Sequence, residues 1–223
     1  MMKFLIVNGS AHKGNTWKLV EHIKKFILSQ DEEMEFEEIH LIKENSPFCC
    51  GCSNCFRAGH EKCPHYSIVG NIMQKMDSAD GVIFASTTYN LRETALLKNL
   101  FDHFCYMLHR PHFFQSKAMI VTTTGGVGAK AAAKSIASFL KGIGFNRCYL
   151  FSKASFGWNA YMPDERTIKS LERVAKHFYL DVKSGKLYSP SCMELIPYNL
   201  FRGLSLAYTP GTEYETVDGV HWT

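Results

Sequence analysis

Apolar residues along this chain recur in short unbroken runs separated by longer stretches with helical spacing. The first run, Lys3-Phe-Leu-Ile-Val7, stops at Asn8-Gly9. It predicts a buried strand, because a strand covered on both faces need not alternate apolar and polar positions. From Asn15 onward Leu19, Ile23, Phe26 and Ile27 share one helical face, and residues 34–42 mix apolar with charged positions as an outer strand would. A helical stretch carrying Ile68, Ile72 and Met76 leads into a second buried run at 81–85. Residues 95–108 read as helix, 118–121 as strand, 128–143 as helix and 146–151 as the last strand. Ile168, Leu171, Val174, Ala175, Phe178 and Val182 mark the last long helix.

Five strands alternating with five helices predict a doubly wound α/β fold, since parallel strands need helical crossovers. Residues 1–187 form this domain. The tail, 188–223, carries Pro190, Pro197 and Pro210 with several aromatics, and is expected to pack on the domain or on a neighbouring subunit. Its row of Phe201, Leu204, Leu206 and Tyr208 needs covering, so a homodimer or larger homo-oligomer is expected.

Composition narrows the class. A hydrophobic share of 46% is too high for a disordered chain, and the net charge of +4 is scattered, with Lys24-Lys25 the one adjacent basic pair outside any stripe. A duplex-binding surface is therefore not expected. No apolar run approaches the roughly 18–20 residues that span a bilayer, and the first run ends too early for a signal-peptide core. A cytoplasmic protein binding neither nucleic acid nor membrane is expected.

In doubly wound sheets, ligands bind beyond the carboxyl ends of the strands. Three loops there are rich in glycine, amide and hydroxyl residues. The first, Asn8-Gly-Ser-Ala-His-Lys-Gly-Asn-Thr16, opens into a helix, so its free amides and the Ser10 and Thr16 hydroxyls could hold a phosphate or simply cap the helix. It is neither a P-loop nor GxGxxG. The second is Ser86-Thr-Thr-Tyr-Asn-Leu91 and the third Thr122-Thr-Thr-Gly-Gly-Val-Gly128. Tyr89 and the glycine turn could supply an apolar wall and backbone donors for a planar ring.

With Asn8-Gly-Ser10, Gly14-Asn-Thr16, Ala79-Asp-Gly-Val-Ile83, Tyr89, Lys98, Phe101-Asp102 and Thr123-Thr-Gly-Gly126, the sequence resembles the flavodoxin-like NAD(P)H-dependent FMN reductase family. The resemblance implies a flavodoxin-like five-stranded parallel sheet of order 2-1-3-4-5. It implies FMN with its phosphate at Ser10, His12, Asn15 and Thr16. The ribityl chain and ring would be bordered by Thr88, Tyr89, Asn90 and Leu91 and by Thr123, Thr124, Gly125 and Gly126. It further implies hydride transfer from NAD(P)H and electron delivery to a small acceptor such as a quinone, a free flavin or a nitroaromatic. No catalytic side chain is implied, because the flavin does the hard chemistry. Two positions depart from the family pattern: Thr87 stands where a Pro is usual, and His103 where an Arg is usual.

Five of the eight cysteines fall between 49 and 63. Such clustering points to metal or redox chemistry rather than a secreted disulfide framework. Cys49-x2-Cys52-x2-Cys55-x7-Cys63 could hold an iron–sulfur cluster, with Cys50 left out because one residue before Cys52 is too close. The loop resembles that of iron–sulfur flavoproteins, which implies an electron carrier. Zinc remains open, as do an unmetallated loop and a non-enzymatic binding module built on the cysteines. Phe156, Trp158 and Tyr161 could line an acceptor pocket or merely pack together, and most of the ten histidines are expected at the surface.

Overall fold

The computed structural model describes residues 1–208, 211–212 and 215–223. Its strands are β1 (Lys3–Asn8), β2 (Glu35–His40), β3 (Gly81–Thr87), β4 (Lys117–Thr124) and β5 (Arg147–Ala154). They form one all-parallel sheet of order β2-β1-β3-β4-β5. The helices are α1 (Asn15–Gln30), α2 (Leu41–Glu44), α3 (Asn54–Arg57), α4 (Tyr66–Asp77), α5 (Ala95–His103), α6 (Ala129–Gly142), α7 (Glu165–Ser184), α8 (Cys192–Leu206) and α9 (Val217–Trp222). This is the flavodoxin-like architecture expected. Among the described residues no helix is long and apolar enough to cross a membrane.

The unbroken apolar strands have a direct cause, since successive side chains point to opposite faces and both faces are covered. Phe4, Ile6, Ile83, Met119 and Val121 pack with α1 and α7, where Leu19, Ile23, Leu171 and Phe178 are fully buried. Leu5, Val7, Val82, Phe84 and Ile120 pack on the other side against Ile72, Leu97, Phe101, Ile136 and Leu140 of α4, α5 and α6. The strand order reverses between β1 and β3, so the loops after Asn8 and Thr87 part there and leave a crevice.

Three elements differ from the sequence reading. The second strand ends at His40, and Leu41 starts a helical turn. The helix expected over 95–108 stops at His103 and tightens into a 3-10 turn, Cys105–Leu108. There the His103 ring Nδ1 takes up the Asn99 carbonyl, and the Phe104 N–H is shared between the carbonyls of Leu100 and Phe101. The tail is mostly helical, because a capping box between Ser191 and Glu194 nucleates α8 strongly enough to carry Pro197 inside it. Pro210 lies outside the described residues.

Glu194 also pairs with Lys141, tying α8 to α6. Lys141, and then the Ser191 N–H, hold the Glu194 carboxyl down at about 2, against an ordinary value near 4.5. A lowered carboxyl pKa stabilises the fold above the unfolded value, and that stability is lost as pH falls through the folded one. Amide exchange in 192–206 is therefore expected to quicken as pH falls from about 4.5 towards 2, after correction for intrinsic rates. Glu194→Gln should abolish this dependence. Equal pH dependence in both proteins would count against the capping contact.

Candidate functional site

Four hydroxyls knit the carboxyl ends of the strands together. Ser10 Oγ lies 3.0 Å from Thr87 Oγ1 and accepts the Thr87 N–H at 3.1 Å. Thr16 Oγ1 lies 2.6 Å from Thr123 Oγ1 and 3.3 Å from Thr87 Oγ1. Thr87 is therefore the hub of the cluster, a role that a proline, with no hydroxyl and no N–H, could not fill. The sequence reading treated it only as a departure.

The start of α1 has no side-chain cap, so its first amides face the crevice free of one. Asn15 donates to Ser155 Oγ at 3.3 Å and to the Trp158 carbonyl, and the Lys18 ammonium donates to the carbonyls of Asn159 and Tyr161. The loop after β5 is thus drawn over this helix end. His12 is exposed, 3.4 Å from Asn159 Oδ1.

Beyond β3, Tyr89 and Arg92 exchange backbone hydrogen bonds around Asn90 and Leu91, both with positive φ (48° and 64°). The pair forms a tight two-residue turn that exposes Tyr89 and Leu91. A left-handed leucine is uncommon, and such strain concentrates where a loop must hold one shape for a ligand. Beyond β4, Thr124 Oγ1 donates to the Val127 carbonyl and accepts the Gly126 N–H. That brace holds Gly125 and Gly126 in an open turn, where an added Cβ would meet nothing.

Two buried oxygens beside these loops, Asn15 Oδ1 and Thr88 Oγ1, have no hydrogen-bond partner. A buried polar atom without a partner is costly and calls for a ligand group. The free helix end suits a phosphate, the orphaned oxygens suit the hydroxyls of a polyol chain, and the exposed Tyr89 and open glycine turn suit a flat ring. All twelve residues expected around the flavin lie on these loops and the adjoining helix end, although His12 stands at the rim. The residues present fit FMN.

The cysteine loop lies on the α4–α5 side of the sheet. Buried Asn99 of α5 anchors it, accepting the Cys49 N–H at 3.1 Å and donating to the carbonyls of Ser46 and Pro47. Arg110 donates to the Cys55 carbonyl at 2.6 Å. Cys49, Cys52, Cys55 and Cys63 line one small pocket, and so do Cys50 and two histidines, His65 and His103. Cys105 hydrogen-bonds to Cys55, and with nearby backbone N–H groups and Arg110 it brings the Cys55 thiol down to about 7. Burial instead pushes the Cys63 thiol up. Soft thiol donors converging on one pocket suit an iron–sulfur cluster or zinc.

The sequence reading missed Asn99, Cys105 and the histidine pair, which come from elements far apart along the chain. The aromatic residues of the last loop, Phe156 and Trp158, are exposed.

Residues 2–155 match the family described as NADPH-dependent FMN reductase. The chain belongs to that family. It is accordingly an NAD(P)H-dependent, FMN reductase-like oxidoreductase, and the non-enzymatic module considered from the cysteines alone is set aside. An iron–sulfur flavoprotein of Clostridioides difficile is 28% identical over 187 residues, covering 83% of this chain and 81% of its own. One from Archaeoglobus fulgidus is 26% identical over 191 residues, covering 78% of this chain and 92% of its own. Among solved structures, an NADH:FMN oxidoreductase superimposes with a TM-score of 0.58 at 18% identity, covering 85% of this chain and 92% of its own. An NAD(P)H:acceptor flavoenzyme from Paracoccus denitrificans gives 0.59 at 19%, covering 84% of this chain and all of its own. These structures share the fold.

Proposed function

We propose that this reductase carries electrons from a nicotinamide, through FMN held by the three strand-end loops, to a small acceptor such as a quinone, a free flavin or a nitroaromatic. The observation that carries the reading is the convergence of the three strand-end loops at the strand-order reversal, with a free helix end and two buried oxygens without a hydrogen-bond partner beside them. Bound FMN would supply the two-electron chemistry that takes hydride from NAD(P)H and returns electrons to the acceptor. The chain's own part is binding and orientation. Ser10, Asn15, Thr16 and the amides at the start of α1 hold the phosphate end, with His12 at the rim. Thr88 and Thr123–124 meet the polyol, and Tyr89 to Leu91 and Gly125–126 flank the ring. The open side beside Tyr89 admits the nicotinamide and the acceptor in turn, so ping-pong kinetics are expected.

A second reading, a two-centre electron carrier, is favoured by the cysteine pocket and its anchorage. Helix α5 holds that loop through Asn99, while its N-cap Thr94 donates to the Gly9 carbonyl of the first flavin loop at 2.6 Å. One rigid helix thus spans both candidate centres. In this reading Cys49, Cys52, Cys55 and Cys63 hold an iron–sulfur cluster and Cys50 does not.

Protein purified anaerobically is expected to be yellow, to release FMN on denaturation and to bleach with NADH or NADPH. A colourless chain that cannot be reconstituted would sink the flavin site. Bleaching by neither nicotinamide would favour the carrier. Iron and sulfide retained in Cys50→Ala but lost in Cys55→Ala is expected for the cluster, and their absence from anaerobic wild type removes it. Met193, Ile196, Leu200 and Leu204 of α8 are exposed, so a homodimer or larger homo-oligomer burying this face is expected, and a 25.3 kDa particle by light scattering would reject it.

A further inference from the structure

The strongest group of metal-ligating atoms is not the cysteine quartet. Among the described residues, one set of three ligand atoms lies mutually within 4.8 Å, and it comes from Cys63, His65 and His103. We infer that these three side chains form a binding site for a single divalent cation of the zinc type, sharing Cys63 with the cysteine pocket.

The geometry of the histidines carries the argument. His103 is buried, and its Nδ1 lies 2.9 Å from the Asn99 carbonyl oxygen. A carbonyl can only accept, so Nδ1 carries the proton and Nε2 the lone pair. A ring N–H given to a backbone carbonyl, with the other nitrogen left free, is the arrangement that orients a metal-binding histidine. That free Nε2 lies 3.0 Å from His65 Nδ1. Two nitrogens on a tetrahedral zinc, each about 2.0–2.1 Å from the metal, stand about 3.3–3.4 Å apart. Little movement would replace the N–H···N hydrogen bond by a shared cation, with the His65 proton moving to the outer nitrogen of that half-exposed ring. A thiolate beside them stands about 3.6 Å from each nitrogen in the same geometry. Cys63 is two residues before His65 and close enough to swing in.

The donor chemistry selects the ion. One sulfur and two imidazoles, with no carboxylate in the set, suit zinc and its transition-metal neighbours rather than calcium or magnesium. Water would complete the fourth position. A lone tetrahedral ion held by four thiolates would need its sulfurs about 3.8 Å apart. No three of the cysteine sulfurs among the described residues come within 4.8 Å of one another. The looser spacing of the cysteines leaves room for a multi-iron cluster, while the tighter histidine–cysteine set fits one ion. Since both would use Cys63, loading with zinc excludes a four-cysteine cluster. The inference does not rest on flavin binding.

The test uses the full chain with thiols reduced, iron removed by a chelator and any flavin left in place as a marker of the fold. Cobalt(II) serves as the optical probe and is then displaced by zinc(II). One equivalent is expected, with tetrahedral ligand-field bands and a thiolate-to-cobalt charge-transfer band. Cys63→Ser, His65→Ala and His103→Gln should each weaken binding at least about tenfold, as loss of a ligand requires. Cys49→Ser and Cys52→Ser should bind as wild type. His103 is buried and its replacement could disturb the fold, so half-exposed His65→Ala is the deciding variant. No tight equivalent in wild type, or wild-type binding by His65→Ala with loss in Cys49→Ser and Cys52→Ser, overturns the inference.

Discussion

Gly128→Ala is expected to weaken FMN binding at least about tenfold while leaving the sheet intact. Gly128 caps the start of α6 at φ 99°, where an L-residue costs about 1–2 kcal/mol. Sterics add to this. A Cβ there would lie 2.5 Å from Leu91 Cδ2 and 3.0 Å from Leu91 Cα. The side-chain tip could rotate away, but the clash with the Leu91 backbone is relieved only if the Asn90–Leu91 turn itself moves. That turn is already strained and presents Tyr89 to the crevice, so displacement should open the wall proposed for the flavin ring. With about 1–3 kcal/mol lost, a chain of this size should melt about 2–12 °C lower. Gly203→Ala is the control, since its Cβ would meet nothing. Fluorescence titration of stripped protein with FMN measures the effect. Unchanged affinity in Gly128→Ala would mean that the turn after β3 does not touch the flavin.

What the sequence disclosed follows from how each part is held. The central strands were legible because coverage on both faces leaves runs such as Val82, Ile83 and Phe84 no polar position. The edge strand β2 was blurred by Glu35, Glu37 and Glu38, and its end was read two residues too far. Loop chemistry at the strand ends was legible because glycines, amides and hydroxyls cluster directly after each apolar run. Contacts between distant elements were not. Nothing local says that Thr87 joins Ser10 and Thr16, or that α4 and α5 bring His65 against His103. Helix α8 did carry a signal, since Ser191-x-x-Glu194 is a capping box, but Pro190 and Pro197 read as punctuation.

Arg110→Ala is expected to release the C-terminal helices and loosen the cysteine loop together. Arg110 follows the turn after α5 and faces both, giving one N–H to the Cys55 carbonyl at 2.6 Å. Its Nε also lies 2.6 Å from Asp218 Oδ1 of α9, a charge contact without hydrogen-bond alignment. The Asp218 side chain is only 4% exposed. Neighbouring His109 pairs with the same carboxylate at 3.1 Å, and its carbonyl accepts the Trp222 indole N–H at 2.8 Å. An edge-to-face contact of His109 with Phe56 and a tilted one with Phe201 of α8 complete the junction. Removing one partner of a buried ion pair costs about 3–5 kcal/mol, mostly because the remaining charge stays buried. Here the chain has a cheaper escape. If α9 swings out, Asp218 regains water, so the loss is capped at what docks the tail. The expected signature is therefore local: rapid proteolysis within 207–223, faster alkylation of Cys55, and a smaller fall in Tm than the ion pair alone implies. Asp218→Asn, which removes the stranded charge, should release the tail less than Arg110→Ala. An Arg110→Ala protein with wild-type cleavage kinetics and wild-type Cys55 reactivity would show that the junction is not what holds the tail.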